Sequence, residues 1–353
     1  MDKHPQQVRR YLDRLYGSER RRYECCAQTL QELRTWQTGA CEEFYRLLKL
    51  PVIAEESRGH EAEAGISPDR EDLGDYFRQQ GWIETEPDVR IRFWLLTPKG
   101  DGPFPLAVTP HGHENGDTYV GIWHDEQTRL RIEEEDGDVA VQAATRGFFT
   151  IAPATRGIGQ NPESYRIADI ADRHDGRDCL CHNWQVLVAG RTMLGERVWD
   201  LMRILDWAFT RPEVNSDVVL MMGNSGGGMA TLHTAAADQR VTIAVPCCAY
   251  SNYLSPFGTL RHCPCNAVPG LMEFGEFWDV AGLVAPRRIL TVNGDSDALH
   301  PVTEVSRAAA RLKEIYRVAG AADCYEHRFG RGGHRFYSEH MWPWISRAVG
   351  DLR

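Results

Sequence analysis

A series of short apolar runs, separated by longer stretches of helical period, constrains this chain more than any other feature. The runs are Val89 to Leu96, Phe104 to Pro110, Phe148 to Ala152, Val218 to Met222, Val241 to Val245, Ile289 to Val292 and Cys324 to Phe329. Between them lie stripes at i, i+4, i+7 and i+11: Val198, Met202, Leu205 and Phe209, then Val305, Ala309, Leu312 and Tyr316. Strands that alternate with helices pair in parallel through helical crossovers, which bury both faces of the sheet. The expected fold class is therefore α/β: a mostly parallel central sheet covered by helices on both faces, spanning residues 85–353. Residues 1–84 read as a helical N-terminal extension. Cys26, Leu30 and Leu33 form one stripe there, and Phe44, Leu47 and Leu48 another after a break at Gly39. Such an extension packs on the main domain or on another subunit, so a homo-oligomer through these helices is one expectation. The connections 153–190 and 247–286 have no clear period, and loops of that length are commonly lids or pocket walls. They are expected to cap the active site.

Gly223-Asn224-Ser225-Gly226-Gly227 follows one apolar run directly and precedes the helical Met229 to Ala237. Strand, G-x-S-x-G and helix together form a nucleophile elbow, in which a strained turn lifts the serine oxygen out of the sheet. The residues two before and two after the serine must then lack a Cβ. Glycine otherwise weakens a helix by up to about 1 kcal/mol, so a steric demand explains the run 226–228. No Lys-Ser or Lys-Thr follows the glycines, which excludes a phosphate-binding Walker loop.

A nucleophilic serine needs a base, and the base needs a carboxylate to orient it. Asp295 and Asp297 follow the run 289–292, and His334 lies in the loop Gly330 to Phe336 after the last run. Each sits just past the carboxyl end of a strand, where open α/β sheets place their ligands. The oxyanion would be met by the backbone N–H of Gly226 and by that of His113, in the loop His111-Gly112-His113-Glu114-Asn115-Gly116. Neither His111 nor His113 is expected to act as base or metal ligand, because the fold supplies a base elsewhere.

The net charge of −10 argues against nucleic acid or an anionic membrane as partner, since such binders present basic surface. No run approaches the length that crosses a bilayer, and Met1 to Gln7 is polar. The ten cysteines are scattered and two pairs are adjacent, which fits a reducing, cytoplasmic setting better than a disulfide framework.

These motifs resemble the α/β-hydrolase superfamily, and within it the dienelactone-hydrolase-like and acetylxylan-esterase-like branch. The resemblance rests on His111-Gly112-His113, Arg156-Gly157-Ile158-Gly159, the elbow, Gly294 with Asp297 and Pro301, and Gly333-His334. It covers about residues 85–350 and is best from Gly190-Arg191-Thr192 through Gly195-Glu196-Arg197 and Trp199-Asp200 to the elbow. It implies a serine esterase working through an acyl-enzyme, with Ser225, Asp297 and His334 as the triad. The chain also departs from the pattern. Acetylxylan and cephalosporin-C deacetylases typically carry Tyr where His113 stands, Gln at Ile158 and Gly226, and Glu at Arg335. Dienelactone hydrolases proper use Cys where Ser225 stands.

The substrate expected is a small-molecule carboxylic ester, including acylated sugars, with no cofactor. A lactonase or small exopeptidase on the same fold is the alternative, and a non-catalytic binding scaffold the alternative of another class. His111, Arg156, Trp184, Tyr250, Phe277 and Trp278 are the expected pocket residues; ordinary lid packing accounts for the aromatic ones, with Tyr253, Phe257 and Phe274, equally well. Cys179, Cys181 and His182 on one connection and His262, Cys263 and Cys265 on the other could form a zinc site. Buried reduced cysteines in loop walls are the simpler reading, and no metal is expected.

Overall fold

The computed structural model describes residues 6–17, 20–114, 116–158, 178–254 and 262–352. Its strands are β1 (Ala64–Ile66), β2 (Glu71–Asp72), β3 (Tyr76–Glu86), β4 (Val89–Pro98), β5 (Phe104–Val108), β6 (Phe149–Pro153), β7 (Val214–Asn224), β8 (Ile243–Cys247), β9 (Arg288–Gly294) and β10 (Tyr325–Gly330). Among the described residues they form one sheet in the order β1-β3-β4-β6-β5-β7-β8-β9-β10, with β2 beside β3. From β6 to β10 every pairing is parallel, while β1 to β4 join antiparallel at one edge.

All the apolar runs of the sequence are strands of this sheet, and the fold class is as expected. One boundary differs. The sheet starts at β1, well ahead of residue 85, so the N-terminal segment is helical only to Glu56. Strand β3 mixes buried and half-exposed positions along Tyr-Phe-Arg-Gln-Gln-Gly-Trp, which leaves no apolar run to read.

The first helices are α1 (Gln6–Leu15), α2 (Leu30–Leu47) and α3 (Leu50–Glu56). Helix α2 starts at a capping box, in which Thr29 Oγ1 accepts from Glu32 N at 3.2 Å and Glu32 reaches back to the Thr29 N–H. It runs through Gly39 without a break, and Cys26 lies exposed ahead of it. Its buried face is Leu33, Ala40 and Phe44.

The remaining helices are α4 (Gly116–Tyr119), α5 (Glu126–Glu134), α6 (Val139–Ala144), α7 (Asp178–Val188), α8 (Met193–Ala208), α9 (Gly226–Ala237), α10 (Leu271–Phe274), α11 (Phe277–Gly282), α12 (Val302–Val318) and α13 (Ser338–Gly350). Two apolar layers result, and the strands divide between them residue by residue. Val219 and Met221 face α2, α3, α8, α9, α11 and α12. Val218, Leu220 and Met222 face the layer of α4, α6 and α13. The N-terminal helices are therefore part of the main core. Gln37 Nε2 donates to the Gly282 and Ala285 carbonyls, and Cys25 N to Asp279 Oδ1 at 2.8 Å. The apolar face of α2 is spent within the chain. No described helix is long and apolar enough to cross a membrane.

Phe44 is completely buried, against Phe274 and His233. Phe44→Ala is expected to lower unfolding free energy by about 3–5 kcal/mol in a urea titration. A loss below about 1 kcal/mol would show that the N-terminal helices are not integral to the core.

Candidate active site

Ser225 stands between β7 and α9 with φ 55° and ψ −120°, a conformation that L residues rarely adopt. Its N–H donates to the Cys247 carbonyl at 2.9 Å, tying the turn to β8. The turn is possible because Gly223 and Gly227 lack side chains. A Cβ on either would lie 2.3 Å or 2.0 Å from the Pro110 carbonyl oxygen. Gly226 is different: the nearest atom a Cβ would meet is Gly112 Cα at 3.3 Å, so sterics weigh less there.

Asp297 is buried after β9, and its Oδ2 accepts from His334 Nδ1 at 2.7 Å. Oδ1 of the same carboxylate accepts from Leu299 N at 2.9 Å. Of the two candidate carboxylates, Asp295 takes another part: its Oδ1 accepts from Gly332 N at 2.9 Å and braces the histidine loop. Burial disfavours the charged form of His334, but the hydrogen bond to Asp297, with the charges of Cys248, Asp297 and Glu114, outweighs it and raises the imidazole pKa above its ordinary value. Burial likewise opposes ionisation of Asp297, and the two histidines on it reverse the effect, holding the carboxyl far below the usual range. The second histidine is His300, whose Nδ1 lies 3.1 Å from Oδ2. Sequence reasoning assigned it no role, although its spacing three residues after Asp297 was the available signal. Nε2 of His334 is buried without a hydrogen-bond partner among the described residues, and both His334 and Ser225 line one cavity of about 240 Å³.

The loop after β5 brings His113 to the elbow. A Cβ on Gly112 would lie 2.9 Å from the Gly226 nitrogen, so the two backbones pack directly together. Gly226 opens α9, so its N–H has no partner within the helix and is available to an anion. Glu114 fixes the other side of the turn: it accepts from Tyr119 Oη at 3.2 Å, and Tyr119 Oη accepts from Asn224 N at 3.0 Å. Arg131, Glu135, Arg335 and Phe336 complete the cavity wall, none of which sequence reasoning had singled out for the site.

None of the other expected pocket residues lines this cavity. Tyr250, Phe277 and Trp278 are in the core layer with α2, where Tyr250 Oη donates to the Ala308 carbonyl at 2.9 Å and Phe277 stacks on Tyr253. Trp184 is 56 % exposed on α7. His111 is buried as a fastener: Nδ1 donates to the Gly112 carbonyl and Nε2 accepts from Thr155 N at 3.0 Å. Burial lowers its pKa, so it stays neutral. Arg156 is committed to buried carboxylates, pairing with Glu86 at 2.7 Å, with Asp200 through two nitrogens, and with Glu196 at 3.4 Å. Among the described residues the wall thus comes from the 113–139 segment and from 334–336, not from the 247–286 connection. Gly159 and Phe257 lie outside the described residues, as do 159–177 and 255–261 of the two long connections.

All ten cysteines are free thiols. Three of them gather at His113: Cys179, Cys263 and Cys265 place their ligand atoms within 4.8 Å of one another and of its ring. Cys181, His182 and His262 are not in the group, and His182 Nε2 instead pairs with Glu196 at 2.6 Å.

Arg156→Met is expected to cost about 3–5 kcal/mol in urea unfolding, because it strands buried carboxylates; a change under about 1 kcal/mol would show that the network is dispensable. The His334 imidazole should titrate above about 6.5 by NMR, and Asp297→Asn should move the midpoint down by removing the anion that favours the imidazolium. An unmoved midpoint would contradict the pairing.

No family model matches the chain. The Bacillus subtilis (strain 168) protein "Putative hydrolase YtaP" is 31% identical over 153 residues, 42% of this chain and 51% of that protein. The chain thus matches about half the length of that relative. Among solved structures, a Bacteroides fragilis NCTC 9343 protein described as "a putative acetyl xylan esterase" superposes with TM-score 0.78 at 16% identity, covering 99% of this chain and 95% of that one. The glucuronoyl esterase from Solibacter usitatus gives TM-score 0.60 at 13% identity, over 86% and 91%. Acetyl xylan esterase 1 from Thermoanaerobacterium sp. JW/SL YS485 gives 0.53 at 17%, over 88% and 94%. Together with the strained serine turn after β7, these likenesses establish that the chain has the α/β-hydrolase fold.

Proposed function

We propose that the chain is a serine hydrolase that cleaves carboxylic esters through an acyl-enzyme. One observation carries the reading: Ser225 in its strained turn and His334, with Nε2 unpaired and Nδ1 on Asp297, face the same cavity. In the proposed cycle His334 Nε2 takes the proton of Ser225 Oγ as the oxygen attacks the ester carbonyl. The N–H groups of Gly226 and His113 receive the oxyanion, and Asp297 orients and balances the imidazolium. Collapse expels the alcohol, which leaves with the proton held by His334. A water then enters, His334 removes its proton as the water oxygen attacks the acyl carbonyl, and collapse releases the acid while His334 returns that proton to Ser225 Oγ.

For the substrate we propose a small ester carried on a sugar or comparable alcohol. The names of the esterases with the same fold support this class, and a cavity of about 240 Å³ suits a short acyl group. Lactones and peptides share the acyl-transfer chemistry, so a panel of sugar acetates, aryl esters, lactones and peptide amides distinguishes them. Ser225→Ala should reduce turnover of the best ester by at least about a thousandfold and abolish labelling by a fluorophosphonate probe, with the circular dichroism unchanged. Undiminished labelling of the variant would sink the assignment.

A further inference from the structure

The cysteine group beside the oxyanion loop lies outside the proposed acyl-transfer chemistry. Cys179 Sγ is 3.4 Å from His113 Nε2 and 3.6 Å from Cys263 Sγ. Cys265 Sγ is 3.1 Å from Cys263 Sγ and 3.5 Å from His113 Nε2. These are four edges of a closed polyhedron with three sulfurs and one nitrogen at its corners. Zinc bound at about 2.3 Å from sulfur and 2.0–2.1 Å from nitrogen has tetrahedral edges of about 3.8 Å between sulfurs and about 3.6 Å from sulfur to nitrogen. The two sulfur–nitrogen edges differ from that geometry by only about 0.1–0.2 Å, and the shortest sulfur pair has to open by about 0.7 Å.

A second observation, separate from the spacing of the ligand atoms, points to negative charge at this place. Arg197 on α8 is 2 % exposed, yet among the described residues it forms no ion pair with a carboxylate. Buried arginines are normally matched by an anion. Its guanidinium instead donates to Cys265 Sγ at 3.5 Å, to Asn266 Oδ1 at 3.0 Å and to the Arg156 carbonyl at 3.1 Å. Three thiolates and a neutral imidazole around a dication carry a net charge of −1. Arg197 is the counter-charge for that unit, and its N–H···S bond is the outer-sphere contact that metal thiolates take.

We propose that Cys179, Cys263, Cys265 and His113 bind one Zn²⁺ in a closed Cys₃His site. On binding, the three thiols release their protons to solvent and His113 coordinates through Nε2. The ligand set selects zinc: thiolate and imidazole in a tetrahedron are poor partners for Mg²⁺ or Ca²⁺. With four protein ligands the ion has no open position, so its part is structural. It clasps three separate pieces of chain: the start of α7, the short 3₁₀ turn Pro264–Asn266 with Cys263 before it, and the loop after β5. His113 is exposed on one side, which leaves a way in for the metal. The proposed site departs from the sequence-based expectation of no metal and of His113 as a non-ligand. Spacing could not reveal this ligand, because His113 lies in a different connection from all three cysteines.

The test is elemental analysis of the full chain purified without a chelator and without an affinity tag that binds metal. About one zinc per chain is expected, against less than a tenth of an equivalent in Cys179→Ser and Cys265→Ser and an unchanged content in the control Cys26→Ser. Where a variant fails to fold, the wild-type protein is decisive. Chelation should lower its melting midpoint, and Zn²⁺ should restore it. Replacement by Co²⁺ should give intense visible bands of tetrahedral cobalt with a thiolate-to-metal charge-transfer band in the near ultraviolet. Protein without metal that titrates ten free thiols would overturn the proposal, as would a Cys263–Cys265 disulfide found by mass spectrometry. Each of these readouts is independent of esterase activity.

Discussion

The close approach of the Pro110 carbonyl to Gly223 and Gly227 is the contact on which the rest of the site depends. It presses the end of β5 onto the turn after β7, and only hydrogen fits in the gap. The serine between the glycines is then held in a backbone region that costs of order 1–3 kcal/mol. Packing overdetermines it, because every residue of α9 is buried. The same contact sets where the loop after β5 begins. His111, Gly112 and His113 therefore arrive beside the first free N–H of the helix, whatever their side chains do.

Away from the serine, a network of buried charges adds to the two apolar layers. Arg156 and Arg191 share Glu86 and Glu196, Thr85 donates to Asp200 at 2.6 Å, and Arg191 reaches Glu56 at the end of α3. Burial raises the pKa of Glu196, but His182 and Arg156 outweigh it and hold it down at about 2. The network links the end of β3, the segment after β6, α7 and α8. Partners that must all be satisfied at once favour a single register among those elements.

The parallel strands were legible because a strand buried on both faces must be an apolar run, and Phe149 to Pro153 is buried at every position. Strand β3 was not, since a strand that mixes buried positions with half-exposed polar ones has no such signature. The elbow could be read because the residues that its sterics demand lie within five consecutive positions, although the atom that crowds them, the Pro110 carbonyl oxygen, is distant in sequence. The choice between Asp295 and Asp297 came from resemblance rather than from spacing, because both follow the same strand. The pocket was misread for a physical reason. Aromatic residues in a long connection look alike whether they face a cavity or a core. Tyr250 and Phe277 went to the core, where Tyr250 reaches the Ala308 carbonyl on α12 and Phe277 stacks on Tyr253, and nothing in the local pattern separates that packing from a pocket wall.

Asp297 serves two imidazoles, and this bears on how many protons the site can hold. The rings of His300 and His334 lie parallel with centroids 5.9 Å apart, close enough for two positive charges to repel each other strongly. Burial lowers the pKa of His300, while that of His334 is raised. The carboxylate is thus shared between the two rings as a hydrogen-bond acceptor. Burial favours the neutral form of His300, so the raised pKa falls to His334, the ring that lines the cavity with Ser225, while the second hydrogen bond restrains the carboxylate from turning.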